Sequence, residues 1–122
     1  MKILYDSRSL DNSVSDRRRA GRKMLRTFAR LISPSGDHVA IRTYDIGLGG
    51  IAIIAPTNMQ LNSRCRVIFE VYGSDRGVSR ICVSGRVIHS ILSAKEDGFI
   101  IGLEFLDLEE GARNIIMSYV SA

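Results

Sequence analysis

Arg64-Cys65-Arg66-Val67-Ile68-Phe69-Glu70-Val71-Tyr72, followed by Gly73-Ser74-Asp75-Arg76-Gly77 and then Val78–Ser90, decides the fold class. Cys65, Val67, Phe69 and Val71 alternate with mostly polar neighbours, the period-2 pattern of a strand with one face in a core. The Gly-Ser-Asp-Arg-Gly break is hairpin chemistry, and Val78–Ser90 reads as the returning strand, with Gly85 marking an expected bulge or bend. Cys65 and Cys82 both sit in apolar strand-like runs and are expected to be small buried thiols in a reducing compartment.

The pattern extends in both directions from this hairpin. Toward the C-terminus, the polar loop Ser93–Asp97 leads into Gly98–Leu106, where Phe99, Ile101, Leu103 and Phe105 share a face. The period then changes to that of a helix over about 108–120. Asp107 is the expected N-cap with Glu110 in the capping-box position, and Leu108, Ala112, Ile115, Ile116 and Tyr119 form one apolar stripe. Toward the N-terminus, Ile51–Ala55 is a compact apolar strand preceded by Gly47-Leu48-Gly49-Gly50. His38–Ile46 alternates, with Val39, Ile41 and Thr43 on one side and Ala40, Arg42 and Tyr44 on the other. Leu25–Ile32 is a further strand, ending at the turn-forming Ser33-Pro34-Ser35-Gly36-Asp37. Six short strands this closely spaced leave no room for parallel crossovers. The expected fold is therefore mainly β: a six-stranded antiparallel β-barrel with a C-terminal α-helix.

The 122 residues make one domain's worth of chain, and a net charge of +4 conceals an uneven distribution. The first thirty residues carry nine basic and three acidic side chains, a net of +6, which leaves −2 for the remainder. Residues 1–16 are polar and aperiodic and are read as a tail. Five basic side chains then crowd Arg17-Arg18-Arg19-Ala20-Gly21-Arg22-Lys23, taken as a basic switch segment before the ordered barrel. Such polarity implies an anionic partner at the N-terminal end.

Catalytic and metal chemistry find little support. His38 and His89 have no Ser or Cys nucleophile beside them in sequence and read as partly exposed strand histidines. Two Cys and two His lack any paired zinc-ligand spacing. Glu109 and Glu110 stand where acidic residues complement a helix N-terminus. No enzyme activity, metal or cofactor is expected. Nucleic acid is disfavoured as a partner because single-strand binding wants exposed stacking aromatics and the chain has only four Tyr and four Phe. The longest apolar run, Ile51–Ala55, is far short of the roughly 20 residues of a membrane helix. No signal-peptide pattern follows Met1, so a cytoplasmic location without membrane insertion is expected.

The arginine cluster and the glycine turn supply two complementary devices. Arginine forks grip phosphate and the O6/N7 edge of guanine, while a carboxylate such as Asp45, placed just before the turn, accepts from guanine N1 and N2. Gly47-Leu48-Gly49-Gly50 itself lacks the following helix and the spacing of a P-loop, and its glycines are expected to permit positive φ angles.

On these residues the chain resembles the PilZ domain, a bacterial receptor module for the second messenger cyclic di-GMP. Arg18-Arg19-Ala20-Gly21-Arg22 matches the family's RxxxR motif, with Arg17 completing the RRxxxR form. Asp45-Ile46-Gly47-Leu48-Gly49-Gly50 aligns with (D/N)xSxxG, and Gly102-Leu103-Glu104-Phe105 is similar to the closing strand. The likeness spans about Asp16 to Tyr119. It implies the same barrel-plus-helix fold and a ligand site of Arg18, Arg22, Asp45, Gly47 and Gly50, with Arg17 and Arg19 beside them. The arginines would clamp phosphates and guanines, Asp45 would accept from a guanine, and Gly50 would keep the turn open. The motif serine is Gly47 here. The lost hydroxyl corresponds to about 0.5–1.5 kcal/mol, a threefold to tenfold loss of affinity, so Gly47→Ser is expected to raise it. The resemblance implies a cyclic di-GMP receptor that changes its contacts with an unidentified bacterial protein partner. The alternative is a degenerate PilZ domain that acts as an adaptor without the nucleotide.

Overall fold

The computed structural model describes residues 21–73 and 77–122. Its strands are β1 (Arg22–Met24), β2 (Phe28–Ile32), β3 (His38–Gly47), β4 (Gly50–Ala55), β5 (Arg64–Tyr72), β6 (Val78–Ser93) and β7 (Gly98–Leu106). The helix α1 (Glu110–Ser121) follows. All pairings are antiparallel, in the order β1-β3-β2-β5-β6-β7-β4, and a further β3–β4 pairing closes the ring. β1 and β2 lie end to end along one edge of β3, β1 beside Asp45–Gly47 and β2 beside His38–Arg42. The closed barrel therefore has six staves, the first of them in two pieces. That agrees with the expected fold. The expected strand at Leu25–Ile32 is corrected at its start: Arg22–Met24 pairs as strand, and Leu25–Thr27 breaks away.

Thr43 explains the break. Its side chain is fully buried; its hydroxyl donates to the Leu25 carbonyl at 2.5 Å and accepts from the Thr27 amide at 2.9 Å. One side chain thus takes up backbone groups that a continuous ladder would have paired, as a buried interruption requires. A second irregularity falls on the other edge of β3. Thr43 pairs with Ile53 but Asp45 with Ala52, so Tyr44 is an extra residue. Ile41, Thr43 and Ile46 point inward, and the bulge leaves Tyr44 and Asp45 consecutively on the outer face.

The interior holds alternate residues predicted from the pattern, including Val67, Phe69, Val71, Ile101 and Leu103, together with Ile46, Ile53 and Val87, which the sequence pattern did not single out, each at most 2% exposed. Burial of such side chains contributes about 1.5–3 kcal/mol apiece. α1 closes one end of the barrel through Ala112 and Ile116, with Leu108, Ile115 and Tyr119 packed beside them.

Three local expectations are corrected. Cys65 is buried, but Cys82 is exposed, because it alternates with the inward Ile81 and Val83. Gly85 pairs regularly with Cys65, and the β6 bulge falls at Ile88, where Val87 faces Leu103 and His89 faces Gly102. The helix N-cap is Glu109, with no side-chain capping bond; Asp107 instead adopts φ 49° in the turn leaving β7, a left-handed conformation that Asp tolerates.

Candidate functional site

β1 places Arg22 directly across from Gly47, and the Tyr44 bulge turns Asp45 outward beside it. The Arg22 guanidinium donates to one carboxylate oxygen of Asp45 through both Nε (3.0 Å) and Nη2 (2.7 Å), and Nη2 also reaches the Asp45 carbonyl at 3.4 Å. Both side chains remain about a quarter exposed, at 28% and 23%. The pair is thus preformed yet reachable from solvent. Beside it opens a cleft of about 640 Å³ walled by Gly21, Arg22, the Gly47-Leu48-Gly49 turn and the last helical residues, Val120 and Ser121.

Gly47 and Gly50 serve close approach rather than left-handed backbone, contrary to the expectation. Gly36 is the one described glycine with positive φ. A Cβ on Gly47 would lie 2.9 Å from the Gly21 carbonyl oxygen, and 3.3 and 3.4 Å from Cγ and Nη1 of Arg22. A Cβ on Gly50 would run into the Leu103 carbonyl, where β4 pairs with β7. Gly47 therefore lets the Arg22 segment lie flat on β3, and Gly50 belongs to the barrel wall rather than to an open turn. The Tyr44–Gly50 region thereby aims one carboxylate outward and leaves room for one arginine-bearing strand.

The helix end fastens that strand. Lys23 Nζ donates to the Tyr119 carbonyl at 3.1 Å and sits 4.3 Å from the centre of the Tyr119 ring, while the Tyr119 hydroxyl donates to the Met24 carbonyl at 2.5 Å. The last turn of α1 has no basic residue of its own, so Lys23 supplies the positive charge that a helix C-terminus favours. Further along, Arg26 stacks 4.3 Å from the Tyr44 ring and reaches Glu96 at 3.3 Å. Neither Lys23 nor Tyr119 is identifiable from the sequence as part of the site, because their meeting depends on residues 96 positions apart.

Of the residues expected at the site, the structure brings together Arg22, Asp45 and Gly47, with Gly50 one strand pairing away. Arg17, Arg18 and Arg19, and the tail assigned to residues 1–16, lie outside the described residues. His89, read from the sequence as a partly exposed strand histidine, is intermediate in exposure on β6. Burial pushes its imidazole below the ordinary histidine range, the Arg22 cation adds to that shift, and Asp45 partly opposes it. Among the described residues no cluster of three or more His, Cys, Asp or Glu is placed to hold a metal ion, and no helix is long and apolar enough to cross a membrane.

Comparison with known proteins agrees with this architecture. No curated protein sequence matches the chain. Among solved structures, Bacillus subtilis MotI/DgrA, an inhibitor of motility, superposes with a TM-score of 0.72 at 17% identity, covering 82% of this chain and 47% of that one. The chain thus spans about half the length of that protein. The PilZ domain of Escherichia coli YcgR, solved with c-di-GMP, gives 0.58 at 16% identity, covering 82% of this chain and 86% of that one. K. pneumonia MrkH, solved as a c-di-GMP complex, gives 0.59 at 18% identity, covering 78% and 47%. These likenesses establish the barrel-and-helix fold. The PilZ domain family model itself matches residues 16–122, nearly the whole chain and every element of the barrel, and so the chain belongs to the PilZ domain family.

Proposed function

We propose that this protein is a non-enzymatic receptor for cyclic di-GMP that converts nucleotide binding into a changed surface for a protein partner. The observation that carries this reading is the Arg22–Asp45 pair, whose arginine lines the cleft. A fixed carboxylate beside a fixed guanidinium offers an acceptor for guanine N1 and N2 and a donor for phosphate or the O6/N7 edge. Arg18, four residues before Arg22 in sequence, is the second arginine of the RxxxR motif. The family match and the two relatives solved with c-di-GMP support the ligand class. The route to a partner is the β1–α1 fastening: a ligand that draws on Arg22 pulls on the strand held by Tyr119 and Lys23.

The competing reading is an adaptor that works without the nucleotide, and it too has an observation in its favour. Arg22 already satisfies Asp45, and Gly47 carries no hydroxyl. Isothermal titration calorimetry separates the two. Micromolar or tighter binding of cyclic di-GMP is expected. Arg18→Ala, Arg22→Ala and Asp45→Ala should each weaken it by about tenfold or more, since each removes charge-assisted hydrogen bonds of about 1.5–3 kcal/mol. A folded wild-type protein that releases no heat at tens of micromolar ligand is the adaptor.

A further inference from the structure

The outer face of the barrel carries a row of four paired residues that runs away from Asp45. Asp45 pairs with Ala52, Ala52 with Gly102, and Gly102 with His89, so the row crosses β3, β4, β7 and β6. Three strand spacings separate the two ends, roughly 14 Å between Cα atoms. The two middle positions hold the smallest side chains available, Ala and none. The imidazole of His89 uses that space: a Cβ on Gly102 would fall on Nε2, closer than any real Cβ contact. The histidine is thus laid inward across β7, toward the Arg22–Asp45 pair, instead of standing out from β6. His89 also lines a second cleft of about 340 Å³, whose lining includes Asn58, Gln60 and Ser90. His89 therefore stands at the end of the row opposite Asp45.

We propose that the nucleotide site continues across Ala52 and Gly102, and that His89 is a ligand-binding residue that grips the anionic dinucleotide on the side opposite Asp45. This rests on the receptor reading given above. Among the described residues, the charged groups that act on His89 are Arg22 on β1 and Asp45 on β3, and its row crosses β4 at Ala52. Glu104 on β7, on the same outer face, is paired with Arg86 of β6, and the described residues from the neighbouring loop, Asn58 to Leu61, are uncharged. In the free protein, burial and Arg22 favour the neutral imidazole, with Asp45 partly opposing them. A phosphodiester arriving beside Arg22 offsets that cation and favours the imidazolium, which then donates to the ligand. Binding takes up a proton, so affinity rises as pH falls through the window between the bound and free values, by up to about tenfold per pH unit. The phosphodiesters of the ligand do not titrate in this range, so the slope belongs to the protein.

The test is cyclic di-GMP affinity by calorimetry between pH 5.5 and 8 for wild type, His89→Gln and Gly102→Ala, with thermal melts to confirm folding. Wild-type affinity should strengthen toward acid. His89→Gln should lose about tenfold at pH 6 and show a flat profile. Gly102→Ala, which keeps the histidine but displaces its ring, should show a comparable loss; if it does not fold, His89→Gln decides alone. Wild-type-like affinity or an unchanged pH slope in His89→Gln overturns this inference and leaves the receptor reading intact. Absence of binding by the wild type at every pH overturns both.

Discussion

Replacing Gly47 tests the geometry of the site most directly. A methyl group at position 47 meets the Gly21 carbonyl at 2.9 Å, a backbone atom that cannot rotate away, and Cγ and Nη1 of Arg22 at 3.3 and 3.4 Å. The contact is relieved only if β1 lifts from β3. Overpacking of this kind costs about 1–3 kcal/mol. The loss cannot exceed what β1 docking itself contributes, because the three-residue strand can detach while the six staves stay closed. Gly47→Ala should therefore leave the global unfolding transition nearly unchanged, strip hydrogen-exchange protection from Arg22–Met24, and weaken cyclic di-GMP by about fivefold to a hundredfold. Gly47→Ser carries the same clash and adds a hydroxyl worth about 0.5–1.5 kcal/mol. It should bind threefold to tenfold better than Gly47→Ala yet no better than wild type, which reverses the gain expected from the motif alone. Amide exchange followed by mass spectrometry, paired with calorimetry, measures both quantities. If Gly47→Ala keeps wild-type protection in β1 and wild-type affinity, the reasoning fails.

Other consequences are equally measurable. Thr43→Val leaves the Leu25 carbonyl and Thr27 amide without their buried partner, and should cost about 1–3 kcal/mol in urea denaturation. Burial pushes the Cys65 thiol up from 9.0 to about 11, so the folded state holds that proton more tightly than the unfolded one. Stability is then fully present below pH 9 and declines as pH rises toward 11, by an amount on the order of 2–3 kcal/mol, and Cys65→Ala should remove that part of the decline. A thiol reagent should modify Cys82 in the native protein and Cys65 only after unfolding, so a fast reaction of both refutes the burial assignment. Tyr119→Phe removes the bond to the Met24 carbonyl and should raise amide exchange in β1 while the barrel strands keep their protection.

Much of the barrel is legible in the sequence because each strand's own alternation carries it. Cys65, Val67, Phe69 and Val71 are inward, as their spacing requires, and the stripe Leu108-Ala112-Ile115-Ile116 meets the core. The misread features depend on partners distant in sequence. No local signal marks the break at Leu25–Thr27, because the group that stabilises it is the hydroxyl of Thr43. Gly85 has a glycine's usual licence to bulge, but β6 bulges at Ile88, where pairing with β7 demands it. Cys82 was obscured by its apolar neighbours although its parity with Ile81 and Val83 turns it outward. Asp107 and Glu110 spell a capping box, yet the chain uses Asp107 to turn out of β7, and the helix begins later. For the site, Arg22 and Asp45 could be named from motif spacing. The crowding of Gly47 against Gly21, and the reach of His89 across Gly102, exist only once strands have paired.

The fastening of β1 to the end of α1 has a thermodynamic corollary. Since the Lys23 and Tyr119 contacts link the strand that bears Arg22 to the last helical turn, β1 and α1 share one equilibrium. Linkage is reciprocal: if the nucleotide changes a partner's affinity for that helix by some factor, the partner changes the nucleotide's affinity by the same factor. On the receptor reading, a partner that captured the helix end and freed Tyr119 would shift the sensitivity to cyclic di-GMP, so the responding concentration would be set jointly by nucleotide and partner.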